Sequence, residues 1–137
     1  FGEIDPAHET TIRKNIAANN LDASRAHIGI GDLFVPFGNE TFDIIAANPP
    51  YIPNTRVLDQ SVVEHEPPMA LFAGPDGLEV IRRIAAALPR RLAPHGIAWI
   101  ECDSAHIEEA RTLFAEQDLS AEIRTDQHHV PRLIVVS

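Results

Sequence analysis

Apolar positions along the chain alternate between short uninterrupted runs and sets spaced three or four apart, a pattern that predicts strands interleaved with helices. Phe1 to Ile4 reads as the tail of a strand. From Pro6 the spacing turns helical, with Pro in the first turn, Ile12, Ile16 and Ala17 following, and an end near Asn19-Asn20. His27 to Ile30 is a short strand broken by Gly31-Asp32. Phe42 to Ala47 is apolar with little alternation, which predicts a strand buried on both faces of a parallel sheet. Residues 48–75 show little periodicity and hold Pro49, Pro50, Pro53, Pro67, Pro68 and Pro75, so a long structureless loop is expected there, of the kind that carries function. Asp76 is placed to cap a helix with Leu78, Ile81, Ile84, Ala85 and Leu88 facing a core, ended by Pro94-His95-Gly96. Ile97 to Cys102 is a further buried strand. Ser104 is expected to cap a helix through about Glu116, and strands near Ala121 to Arg124 and Leu133 to Val136 close the chain as an antiparallel hairpin at one sheet edge. This order gives an open α/β sheet with helices on both faces.

Composition fits one soluble domain over residues 1–137, with 45% hydrophobic and 23% charged residues. Eleven Lys and Arg against 20 Asp and Glu leave a net charge of -9, which opposes non-specific binding to phosphate backbones and suits a protein partner better. The single cysteine, Cys102, cannot make an internal disulfide, so a reducing cytoplasm is the expected location, and Cys102 reads as a small buried hydrophobe. No apolar run approaches the ~20 residues that span a bilayer. Phe1 to Asp5 lacks a basic segment followed by a hydrophobic one. His128-His129 is the sole metal-like pair, and neighbours in a strand point to opposite faces, so no metal site is expected.

The sharpest chemical signal is Asn48-Pro49-Pro50-Tyr51, directly after the apolar strand. Ligands of open α/β sheets sit beyond the carboxyl ends of the strands. The Asn48 side-chain oxygen and the Pro49 carbonyl can together accept both hydrogens of a planar NH2 group. Both prolines lack an N–H and have a fixed φ, which leaves their carbonyls as acceptors in a stiff turn. The Tyr51 ring can cover the planar group. Such a grip turns a nitrogen lone pair towards an electrophile. Glu66, in the long loop, is a second candidate for substrate contact, and Glu101, ending the next strand at the same sheet edge, is a third.

The stretch Phe42 to Pro53 resembles motif IV of the HemK/PrmC family, the protein-glutamine N5-methyltransferases. The resemblance continues through Glu66-Pro67-Pro68-Met69-Ala70-Leu71-Phe72-Ala73-Gly74-Pro75-Asp76-Gly77-Leu78, a stretch more selective than the tetrapeptide, which adenine and cytosine amino-methyltransferases also carry. It implies a Rossmann-like class I sheet, S-adenosylmethionine as methyl donor with S-adenosylhomocysteine as product, and a peptide chain release factor as the protein substrate. Glu3, with Ile4 beside it, resembles the acidic position that takes the cofactor's ribose hydroxyls. Asp32 and Leu33 resemble the residues at its adenine, and Asn48 would border the cofactor as well as the substrate.

Three departures qualify this. Nothing in the chain matches the family's first strand and Gly-rich turn, so a portion of a longer protein is expected, and without an upstream part cofactor binding is expected to be weak. Glu101-Cys102-Asp103 stands where Glu-Ile-Gly is usual, and His128 to Arg132 where Gly-Arg-Asp-Arg is usual. Two alternatives stay open: a nucleic-acid amino-methyltransferase, and a non-catalytic remnant of the fold that serves as a binding module. Oligomeric state is not legible.

Overall fold

The computed structural model describes residues 1–137, which form two compact units, Phe1–Glu40 and Thr41–Ser137. In the first unit, β1 (Gly2–Glu3) pairs in parallel with β2 (Gly29–Ile30). The chain between them makes a 3-10 turn at Pro6–His8 and then helix α1 (Glu9–Ala18). The start is set by the side chain of Asp5, which accepts from the Ala7 amide at 2.8 Å, while Pro6 supplies a pre-set φ. Ile16 is the buried residue of α1.

The second unit holds a four-stranded sheet in the order β3-β4-β6-β5, formed by β3 (Phe42–Ala47), β4 (Leu92–Glu101), β5 (Ala121–Thr125) and β6 (Pro131–Val136). β3 and β4 run parallel, and the β5–β6 hairpin adds antiparallel to β4 through its second strand. Helices α4 (Glu79–Ala87) and α5 (Ile107–Ala115) pack on each other, and α5 lies on β5 and β6. Their apolar sides, Ile81, Ile84, Ala85, Ala110 and Phe114, are buried together with Ala98, Ile100, Ile134 and Val136 of the sheet.

The opposite sheet face is open. β3 was expected to be buried on both sides, yet Ile44 is 73% exposed and Trp99, across from Ala46, is also exposed. An unbroken apolar run cannot say which of its faces is covered, and in this structure one of them is.

Four other expectations are corrected. Residues 48–75 are not structureless: they contain α2 (Gln60–His65), α3 (Pro68–Leu71) and a parallel bridge between Ile52 and Phe72. Pro94-His95-Gly96 does not end a helix but sits inside β4. There the register shifts between Phe42 and Ile44, and a Cβ on Gly96 would lie 2.8 Å from the Phe42 carbonyl oxygen. Asp103, not Ser104, leads into α5 by accepting from the Ala105 amide at 3.0 Å. His128 and His129 lie in the turn before β6 rather than in a strand, and the Asp126 carboxylate accepts from the amides of His128 and Val130. No helix is long and apolar enough to cross a membrane.

Candidate active site

In the second unit, Asn48 follows β3 at its carboxyl end, and Glu101 ends the neighbouring parallel strand, since Ala47 pairs with Ile100. Asn48 is exposed, Pro49 is buried, and Pro50 and Tyr51 are half-buried. A buried proline behind an exposed amide is a rigid mount for it: the ring packs while the side chain stays available.

The stretch after Tyr51 is held from two sides. On one, Ile52 donates to the Leu71 carbonyl at 3.0 Å, Ala73 donates to the Ile52 carbonyl at 2.9 Å, and Asn54 donates to the Gly74 carbonyl at 2.8 Å. Gly77 completes this platform. Its φ is +77°, and a Cβ there would come within 2.5 Å of the Tyr51 carbonyl oxygen and 3.0 Å of the Pro53 ring. No other residue combines a left-handed φ with that close approach. Asp76 fixes the following turn by accepting from the Leu78 amide at 3.0 Å and pairing with Arg82 at 2.8 Å. The selective stretch from Glu66 to Leu78 is therefore the bed on which Tyr51 and Ile52 lie.

On the other side stands the end of β4. The Tyr51 hydroxyl points at Glu101 Oε1 from 3.4 Å, a long and weak contact. Burial raises the Tyr51 phenol above its ordinary value, and the Glu101 charge adds to this, so it stays protonated through neutral pH. Arg56 pairs with Asp103 at 2.5 Å. Burial pulls the Asp103 carboxyl up, but the Ala105 amide, Arg56 and His106 together outweigh it and hold it below the usual carboxylate range. Glu66 is exposed at the end of α2, where its amide donates to the Val62 carbonyl at 2.9 Å, and no described contact brings it to Asn48.

In the first unit the pairing of Glu3 with Ile30 brings Glu3 and Ile4 beside Gly31 and Asp32, at the carboxyl end of both parallel strands. The Gly31 amide donates to the Glu3 carbonyl at 2.8 Å. Glu3 Oε1 accepts from the Asp5 amide at 2.8 Å, which fixes its carboxylate at the strand end. Leu33 has φ +47°, uncommon for a residue with a Cβ and of the sort that gathers at binding sites.

Neither Arg56 nor the turn that Asp103 closes ahead of α5 is among the residues singled out from the sequence. Asp103-Ser104-Ala105 is a usable local signal for that turn, whereas nothing local announces a partner for Arg56.

The mixed sheet of the second unit, with its helices, is part of a Rossmann-like fold of the class I methyltransferase kind. A solved methyltransferase from Pyrococcus furiosus superposes with a TM-score of 0.69 over 98% of this chain and 59% of its own, at 16% identity. At the level of sequence, the chain is 36% identical over 126 residues to a release factor glutamine methyltransferase of Caulobacter vibrioides, covering 89% of this chain and 43% of that one. It is 38% identical over 101 residues to a 4-amino-L-phenylalanine/4-methylamino-L-phenylalanine methyltransferase of Streptomyces pristinaespiralis, covering 72% of this chain and 35% of that one. No family model matches the sequence. By these relationships the chain belongs to the HemK/PrmC family of methyltransferases, and it spans less than half the length of the curated relatives it matches.

Proposed function

We propose that the protein containing this chain is an S-adenosylmethionine-dependent N-methyltransferase whose acceptor is the side-chain amide of a glutamine in a protein, a peptide chain release factor being the substrate that its relatives' names favour. The observation that carries this is the mounting of Asn48-Pro49-Pro50-Tyr51 on the end of β3, braced by the Gly77 platform.

The donor set fits the methyl donor. Glu3 and Asp32 offer carboxylates at adjacent strand ends, suited to the vicinal hydroxyls and the amino group of a nucleoside, and Ile4 and Leu33 offer apolar surface beside them. When bound, S-adenosylmethionine supplies a methyl group activated by its sulfonium. The chain's part is orientation. An amide nitrogen is a poor nucleophile because its lone pair is delocalised into the carbonyl. Asn48 Oδ1 and the Pro49 carbonyl would accept its two hydrogens, turn the lone pair outward and favour the positive charge that develops on nitrogen. Tyr51 would pack its ring on the planar amide, with its hydroxyl kept neutral by burial and by Glu101. The N-methylated amide cation is strongly acidic and gives its proton to water, so no general base is assigned. Glu66 is proposed to meet the protein substrate from the rim of the loop, since it is exposed.

The relative that acts on 4-amino-L-phenylalanine supports a second reading, a free aromatic amine as acceptor. The same grip serves any planar NH2. Duplex DNA is disfavoured by the charge of -9.

Labelled methyl donor, offered with release factor, 4-amino-L-phenylalanine or duplex DNA, separates these readings. The expected outcome is label on the release factor alone. Asn48→Ala should lower transfer by ~100-fold or more while calorimetry with S-adenosylhomocysteine shows affinity changed by no more than about twofold. No heat with the wild-type, full-length protein would favour a non-catalytic binding module instead.

A further inference from the structure

Arg56 lies five residues past Tyr51, in a turn closed by its own amide, which donates to the buried Pro53's carbonyl at 2.9 Å. Its guanidinium crosses to Asp103, 47 residues away in sequence. The Asp103 side chain is only 16% exposed, so this pair is less screened than an open surface pair. By contrast, Glu9–Arg13, Asp76–Arg82, Glu108–Arg111, Glu122–Arg124 and Asp126–Arg132 all join residues close in sequence, three of them within a single helix or strand.

Asp103 divides its two oxygens. Oδ1 takes the Ala105 amide at 3.0 Å, on the way into α5, and Oδ2 takes Arg56. The residue is thereby fixed by the framework and grips the loop with what is left. On the same two segments, five residues before Arg56 and two before Asp103, the Tyr51 hydroxyl approaches Glu101 to 3.4 Å. Two residues of the loop thus meet Glu101, the last of β4, and Asp103 just beyond it.

We propose that Arg56 and Asp103 are positioning residues: their pair holds the stretch after Tyr51 against the end of β4, so that Asn48 and the Pro49 carbonyl are set before an acceptor arrives. The pair touches no reacting atom and acts through the backbone between Tyr51 and Arg56. It rests on the reading of Asn48 to Tyr51 as the acceptor grip. A loop ordered in advance spares the acceptor the entropy of ordering it, so loss of the pair raises KM more than it lowers kcat.

Hydrogen–deuterium exchange on the full-length protein tests the hold directly. Asp103→Asn keeps an oxygen for the Ala105 amide but removes the charge, and Arg56→Gln leaves the Asp103–Ala105 turn untouched. Each should speed exchange at the Ile52, Asn54 and Arg56 amides by roughly three- to tenfold, with α5 unchanged. The double variant should be no faster than either single one, and Arg56→Lys should lie in between. With a glutamine-containing acceptor peptide, KM should rise by a similar factor while kcat stays within about twofold. Unchanged exchange at those three amides, or equal acceleration in α5, would overturn the hold. Faster exchange with an unchanged KM would overturn the positioning role. Faster exchange in a protein whose wild type methylates no glutamine would overturn the functional reading on which that role depends and leave only the anchoring of the loop.

Discussion

At the scale of single residues, backbone geometry does as much as side-chain chemistry. Gly77→Ala would place a methyl 2.5 Å from the Tyr51 carbonyl oxygen at φ +77°. We expect it to destabilise the chain by about 1–3 kcal/mol, read from urea midpoints, and to lower methyl transfer further by shifting Tyr51. Tyr51→Phe removes only a 3.4 Å contact to Glu101 and should cost less than about 1 kcal/mol while leaving the ring in place. If the phenylalanine variant loses stability on the scale of the alanine variant, the hydroxyl matters more than its distance implies. The roles proposed for Asn48 and Tyr51 were legible in the sequence because the chemistry they rest on is packed into four consecutive residues after a strand. Arg56 was not, since its meaning depends on a partner 47 residues away.

At the scale of elements, β4 shows what periodicity can and cannot say. Ile97 and Ile100 lie on the same strand and read alike in the sequence, yet Ile97 is 40% exposed and Ile100 is fully buried. Ile100→Ala should cost about 2–5 kcal/mol and Ile97→Ala about 1 kcal/mol or less, measured by denaturant unfolding. Equal costs would mean that the open face of the sheet is covered in solution. The long helices and most strands were predicted within a few residues of where they stand, because each presents a continuous apolar stripe, but β4 begins at Leu92 rather than Ile97. The short helices α2 and α3 escaped notice because six and four residues are too few to establish a period. Pro94-His95-Gly96 looked like a helix stop and proved to be a strand irregularity, as Gly and Pro mark both.

At the scale of the whole molecule, the chain carries a charge of -9 and several carboxylates held below their ordinary range. For Asp103 the sign is clear. Its folded value is depressed, so its contribution is complete above the unfolded value of about 4 and is lost as pH falls through the folded one. The stability gap between wild type and Asp103→Asn should therefore be constant at neutral pH and close below about pH 4, followed by urea midpoints across that range. A gap that persists in acid would assign the loss to packing rather than charge.

What the sequence determined by itself was everything carried by neighbouring residues: the order of the main strands and helices, the Asn48-Pro49-Pro50-Tyr51 run on which the proposed planar-amide grip rests, and the family kinship of the stretch from Glu66 to Leu78. Tertiary structure decided which sheet face is covered, where the loop after Tyr51 lies, and that Gly77 and Asp103 brace it. The division follows from range. Propensity and periodicity act over a few residues, whereas a carbonyl beneath which only glycine fits, or an arginine's carboxylate partner, exists only once distant segments have been brought together.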